Sequence, residues 1–198
     1  MTLEENGRFH HQEVSYLGFL EAKLRDLRGT ATMVYELVQN ADDVRDDAGN
    51  PAARRITFDV RDEMLVVEND GVFRDVDFAR LQQVASGGKR DESGTIGAFG
   101  IGFIAVYHIT DSPEIVSNGR SWTIRPQQPA AQRILERQVP VTEGTQFRLP
   151  WAVDATSPVR QRLRLEIVDG SQLEMMVEEI AAALQSAALF LQQLAVLE

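Results

Sequence analysis

Cysteine is absent from this 198-residue chain. That excludes a disulfide framework, a thiolate zinc site and a catalytic thiol. No stretch supplies the roughly 20 consecutive apolar residues of a membrane-spanning helix. The opening residues MTLEENGRFHHQ hold no apolar signal segment. Cations are in deficit: Lys and Arg number 20 against 30 Asp and Glu, a formal net charge of −10. A surface that coats nucleic acid needs clustered cations, so no direct nucleic-acid partner is expected. Only three histidines occur. His10 and His11 fall in a polar N-terminal stretch, and His108 sits in an apolar run, where a satisfied core residue is a simpler reading than a catalyst. No grouping of His with carboxylates suggests a metal cluster. These absences point to a cytoplasmic setting without a membrane partner.

What is present is ordinary globular material: 43% hydrophobic and 25% charged residues. The length suits a single domain, residues 1–198, that buries roughly 70% of its unfolded surface without a staple. Val14, Leu17, Leu20, Leu24 and Leu27 recur at helical spacing. A second helix is expected over 30–46, ended by DDAGNP, and RITFDV and EMLVVE read as two strands joined near residues 61–62. Further helices are expected at 75–84, 101–109 and 172–189, and strands at 114–116, 121–125, 133–139 and 145–149. Residues 191–197 fit either the end of the last helix or a closing strand. Trp122 and Trp151 suit packing. Helices mixed with antiparallel strands predict an α/β two-layer sandwich, a mostly antiparallel mixed sheet covered on one face by helices.

Four segments carry chemistry. In YELVQNADD (35–43), Glu36, Asn40 and Asp43 fall within about 60° of one another on a helix, opposite Val34, Leu37, Val38 and Ala41. An amide oxygen suits Mg²⁺, and a neighbouring carboxylate can orient or deprotonate water. The plainer alternative is a solvated polar face. In VVENDGVF (66–73), Asn69 or Asp70 projects from a strand end, where it can meet a base edge; Asn-Asp-Gly is also simply a turn. In TIGAFGIGFIAVYHITD (95–111), Gly97, Gly100 and Gly102 precede an apolar helix, whose first N–H groups attract an anion. Close helix–sheet packing is the other use of such glycines. The spacing is neither the dinucleotide G-x-G-x-x-G nor a G-x-x-x-x-G-K-[S/T] phosphate loop. In EGTQFRLP (143–150), Thr145 opens a strand and could donate to a ligand.

Their order and spacing resemble the GHKL ATPase superfamily, which includes gyrase, the ninety-kilodalton heat-shock chaperone, histidine kinases and MutL. ELVQN (36–40) is similar to the family's E-x-x-x-N box, and IGAFGIGF (96–103) to the chaperone's second glycine box; Tyr107 and Asp111 follow at the chaperone spacing. ELVQNADD, NDGVF, FGIGFIAVYHITD and GTQFRLP together most resemble the sacsin-type, chaperone-like branch. The resemblance implies a Bergerat-type fold holding ATP or ADP with Mg²⁺ beneath a mobile lid at about 74–96. It implies Glu36 as the base that activates water, Asn40 as the Mg²⁺ ligand and Asp43 as a further acidic pocket residue. Gly97, Ala98, Phe99, Gly100, Ile101, Gly102 and Phe103 would line the phosphates, with Lys89 or Arg90 reaching one of them. Thr145 would support the adenine contact. The family's first glycine box begins with an Asp that accepts the adenine amino proton. Here Asn69 stands in its place, followed by Asp70 and Gly71, and Phe73 stands where a second glycine is usual. The amide oxygen of Asn69 can accept that proton, and so can Asp70 if the register shifts.

The expected function is therefore an ATP·Mg-binding domain with slow hydrolysis, its lid closure coupled to a partner domain or a second copy of the chain. In the chaperone, gyrase and MutL a following domain supplies the cation at the γ-phosphate, so the chain is expected to be the N-terminal module of a longer protein, with weak turnover alone. A catalytically inactive nucleotide-gated interaction module shares every binding residue. A histidine-kinase-type catalytic domain is a third reading, disfavoured by the chaperone-type glycine box and the lack of a phospho-acceptor helix. A Rossmann oxidoreductase is remote.

Overall fold

A computed structural model describes residues 15–27, 29–85 and 101–198. In chain order the elements are α1 (Tyr16–Leu24), α2 (Gly29–Asp42), β1 (Arg55–Val60), β2 (Met64–Asn69), α3 (Asp75–Ala85), a 3-10 helix (Ile101–His108), β3 (Glu114–Ser117), β4 (Arg120–Ile124), a short 3-10 turn (Ala130–Gln132), β5 (Ile134–Gln138), β6 (Thr145–Pro150), α4 (Pro158–Leu163), α5 (Gly170–Ala187) and β7 (Val196–Leu197).

Local chemistry places many of these boundaries. Ser15 caps α1 by accepting the Gly18 N–H at 3.2 Å. Asp169 caps α5 through the Gln172 N–H at 2.9 Å. Ser157 accepts the Val159 and Arg160 N–H groups ahead of Pro158, the combination that starts α4. Asn118 and Gly119 both take positive φ, 50° and 73°, and close the β3–β4 hairpin in the two-residue turn that matches strand twist.

The seven strands form one sheet in the order β5-β4-β3-β6-β2-β1-β7. Every pairing is antiparallel except β1 with β7. Residues 191–197 thus resolve as a loop and a closing strand rather than the end of α5. The register puts Ile56, Val67, Phe147, Ile115 and Trp122 on one face, and Thr57, Glu68, Gln146 and Glu114 on the other. The first face buries its side chains with those of the helices in one apolar cluster. The second is laced by polar pairs such as Gln146 with Glu68 at 2.7 Å and Arg148 with Glu114 at 3.5 Å. The domain is therefore a two-layer α/β arrangement built on a mixed sheet.

The segment after residue 100, expected as an apolar helix, is a 3-10 helix. Phe103, Ile104, Ala105, Val106 and Tyr107 are all buried in it. Its C-terminal end is held by one side chain, Arg160 of α4, which is 2% exposed. Arg160 Nε donates to Asp111 Oδ1 at 2.6 Å, Nη1 to the carbonyls of His108 at 3.0 Å and Glu166 at 3.3 Å, and Nη2 to those of Thr110 at 3.0 Å and Tyr107. All five guanidinium protons are thereby used. Ser157 Oγ adds a bond to Asp111 Oδ2 at 2.5 Å. Helix-end carbonyls without partners are costly inside a protein, and the planar cation answers them together. His108 Nε2 meets the Leu27 carbonyl, which makes it a partnered, half-buried residue. Both tryptophans are buried, with Trp151 Nε1 donating to the Arg61 carbonyl at 2.9 Å.

Arg160→Met leaves these carbonyls and the Asp111 carboxylate short of a donor. A loss of about 3–5 kcal/mol in urea unfolding is expected. A loss under about 1 kcal/mol would show that water replaces the guanidinium without penalty.

Candidate functional site

Glu36 and Asn40 sit one turn apart on α2, which packs against both the 3-10 helix and α5. Val34, Leu37, Val38 and Ala41 are buried as the periodicity predicts. Asn40 is also buried, at 8% exposure, while Asp43 on the same side is exposed. Its Nδ2 has no hydrogen-bond partner among the described residues. Glu36 is half-buried, and that burial pushes its carboxyl above the usual carboxylate range.

The start of the 3-10 helix runs directly against Glu36. A Cβ added at Gly102 would overlap the Glu36 carboxylate and lie 3.0 Å from its Cγ. A side chain at 102 would require the Glu36 carboxylate to move. The α2 carboxylate thus lies directly against the backbone at Gly102. Ile101 opens the 3-10 helix. Phe103 is buried, its ring centroid 5.8 Å from that of Phe147, so its side chain belongs to the core. Lys89, Gly97, Ala98, Phe99 and Gly100 lie outside the described residues, as does residue 86 onward in the expected lid; its first part, 74–85, contains α3.

A second group of the expected residues lies at the end of β2. Asn69 is 5% exposed, and its Oδ1 accepts the Gly71 N–H at 3.0 Å. Its Nδ2 has no partner among the described residues. Gly71 fits tightly beyond α2: a Cβ there would lie 2.8 Å from Val44 Cγ1 and 3.3 Å from Ala53 Cβ. Thr145 pairs with Asn69 across the β2–β6 ladder. Its Oγ1 donates to the Gly71 carbonyl at 2.7 Å, so its proton holds the turn. Ser117 Oγ lies 2.9 Å from Thr145 Oγ1 and 3.1 Å from the Gly144 carbonyl, and accepts the Phe73 N–H at 3.0 Å. A Cβ at Gly144 would overlap the Asn69 carbonyl oxygen.

Two expected residues stand elsewhere. Asp70 is exposed, and its Oδ1 accepts the Arg54 N–H at 2.7 Å and the Arg55 N–H at 3.0 Å, pinning the entry to β1. The register therefore offers Asn69 rather than Asp70 to the interior. Asp43 is exposed because α2 ends one residue before it. The buried carboxylate at this end is Asp42, which accepts the N–H groups of Gln192 at 3.1 Å, Gln193 at 2.7 Å and Leu194 at 2.7 Å.

The order of these pieces along the chain has known counterparts. A family model described as the Sacsin domain matches residues 15–139, more than half of the chain. The chain belongs to the sacsin domain family. The matched span contains Glu36, Asn40, Asn69 and Gly102, while Thr145 lies beyond it. Among curated proteins, sacsin of Homo sapiens is 31% identical over 137 residues, covering 64% of this chain and 3% of sacsin. Protein NO VEIN of Arabidopsis thaliana is 37% identical over 87 residues, covering 43% of this chain and 3% of that protein. The sacsin-domain chain thus spans a few per cent of these relatives' length.

Among the described residues, no helix is long and apolar enough to cross a membrane, and no three His, Asp or Glu side chains are grouped to hold a metal. Sequence reasoning missed Ser117, Gly144 and Asp42. The Gly144-Thr145 step beside Asn69 was visible as the start of a strand; the pairing of Ser117 with Thr145 depends on strand order, which no local pattern reveals.

Because Glu36 has a raised pKa in the folded state, the native chain holds its proton over a pH range in which the unfolded chain has lost it. Ionised Glu36 thus opposes folding at neutral pH, and the penalty vanishes below the unfolded pKa, about 4.3. Glu36→Gln should raise the thermal midpoint at pH 7, with the gain fading toward pH 4; a variant no more stable at pH 7 would contradict this. In carboxyl NMR, Gly102→Ala should displace the carboxylate toward solvent and lower its titration midpoint. An unchanged midpoint would place the two residues apart.

Proposed function

We propose that the chain binds a purine nucleotide with Mg²⁺ and hydrolyses it slowly, as a GHKL-type, chaperone-like ATPase module of a longer protein. One observation supports the reading: buried Asn40, one turn from Glu36, and buried Asn69, at the end of β2, each hold an amide nitrogen without a partner among the described residues. Unpartnered polar groups at such burial are rare in folded proteins and are expected where a ligand completes them.

The chemistry of these groups fits the parts. Asn40 would supply its neutral oxygen to Mg²⁺ and its unpartnered Nδ2 to a phosphate oxygen, the metal neutralising phosphate charge. Glu36, with its affinity for a proton raised by burial, is suited to take one from water held beside it. Gly102 lets the backbone approach that carboxylate without a side chain between them. Ser117 and Thr145 fix the turn that carries Asn69, so they position the base-facing residue rather than touch the phosphates. The coverage of human sacsin, 3% of its length, supports a module that acts within a larger assembly.

Titration calorimetry with ADP and a non-hydrolysable ATP analogue tests the binding. Binding is expected with Mg²⁺, and should weaken tenfold or more in Asn40→Ala or without the metal. Metal-independent binding untouched by that substitution would remove Asn40 from the site. Phosphate release tests the chemistry. Glu36→Ala should retain ADP binding and lose about 10²-fold in rate. Equal rates in variant and wild type would leave a nucleotide-gated binding module without catalysis.

A further inference from the structure

We propose that residues 191–198 form a detachable strap which, through Asp42, locks the last turn of α2. The proposal is independent of the nucleotide reading above, and its test needs no ligand.

Asp42 breaks a local rule. It is the last residue of α2, where the helix macrodipole disfavours a carboxylate, and the last turn carries no basic residue to offset it. It is nevertheless buried. The compensation comes from 150 residues further along the chain. Asp42 Oδ2 accepts the Gln192 N–H at 3.1 Å, and Oδ1 accepts those of Gln193 and Leu194 at 2.7 Å each. Hydrogen bonds to an ionised acceptor are stronger than neutral ones. Residues 192–194 belong to no helix or strand, so the carboxylate in turn satisfies three backbone donors that no ladder would.

The rest of the strap is thinly held. β7 has two residues and lies parallel to β1 at the edge of the sheet. The N–H groups of Ala195 and Val196 share the Arg54 carbonyl at 2.7 and 3.1 Å. Glu198 donates to the Ile56 carbonyl at 3.1 Å and accepts the Phe58 N–H at 2.7 Å. Leu194 is the one buried side chain in 191–198. A short edge segment with so little burial opens at a lower free energy than the core. Opening it strips Asp42 of three donors and leaves a buried charge at the negative end of a helix, which is strongly destabilising. Unwinding the last turn relieves this by carrying the carboxylate to water. Asn40 rides on that turn, and its Nδ2 has no partner among the described residues to hold it in place. The strap and the end of α2 therefore open as one unit.

Native-state hydrogen exchange tests this. The reporters are the amides of Asp43 and Val44, which bond the Gln39 and Ala41 carbonyls at 2.9 and 3.2 Å. Val196→Pro removes the N–H that reaches Arg54 and loosens the strap at its far end. Exchange at both reporters should then rise about tenfold or more. A second route must be separated, because the Ala52 N–H donates to the Val44 carbonyl at 3.0 Å and also ties the β1 side to α2. Asp42→Asn turns an NH₂ toward one of the three amides and weakens the lock. In that background Val196→Pro should add little to exchange at Asp43 and Val44. Reporters unmoved by Val196→Pro overturn the proposal, as does an equal effect in both backgrounds. Should a variant fail to fold, wild type decides: the amides of Asp43, Val44 and 192–194 should share one dependence of exchange on low denaturant. Separate dependences overturn the proposal.

Discussion

The buried guanidinium of Arg160 is the constraint on which the site depends. The segment 101–108 carries almost no polar side chain, and its interior position leaves its terminal carbonyls with few partners. A cation with five fixed donors answers the carbonyls of Tyr107, His108 and Thr110 at that end, together with the Glu166 carbonyl and the Asp111 carboxylate. With its C-terminal end held in this way, the helix lies along α2 in one position, and its opening turn reaches Glu36 at Gly102. Burying an ion pair is not by itself a route to stability. What the pair contributes here is a definite place for a segment that greasy packing alone would leave free to slide.

The turn after β2 is fixed by a different device. Asn69, Gly71, Ser117, Gly144 and Thr145 come from strand ends or the turns beside them, and their hydroxyls and carbonyls form a closed set of bonds. Two glycines allow backbone to press on backbone where a methyl group would collide. The consequence is a rigid turn with one amide nitrogen left over. On α2 the same pattern recurs in Asn40. Both segments thus combine firm positioning with one buried amide nitrogen that has no partner among the described residues.

Much of the architecture could be read from the residues. Runs of strand-forming residues on either side of the turn near 61–62 located β1 and β2 within a residue. The α4 helix was overlooked although Ser157-Pro158 announces it, since only six residues follow and no apolar stripe forms. The 3-10 geometry of 101–108 has no sequence mark: a segment buried on every side shows no period. Membership of the sacsin family was legible because four short motifs kept their order. The roles of individual carboxylates were less so. Asp42 and Asp43 are identical in chemistry, and the end of the helix between them decides which is enclosed. Asn69 and Asp70 are similarly divided by strand register, which sends one inward and the other to the backbone of β1.

Asp42 has a mechanical meaning. It lies two residues beyond Asn40 and grips three successive amides, Gln192 to Leu194, just before the chain enters β7. A carboxylate so engaged cannot shift without releasing all three. Tension applied to the closing strand is therefore delivered to the tip of α2 before it reaches any other helix, like a cord tied to the end of a lever.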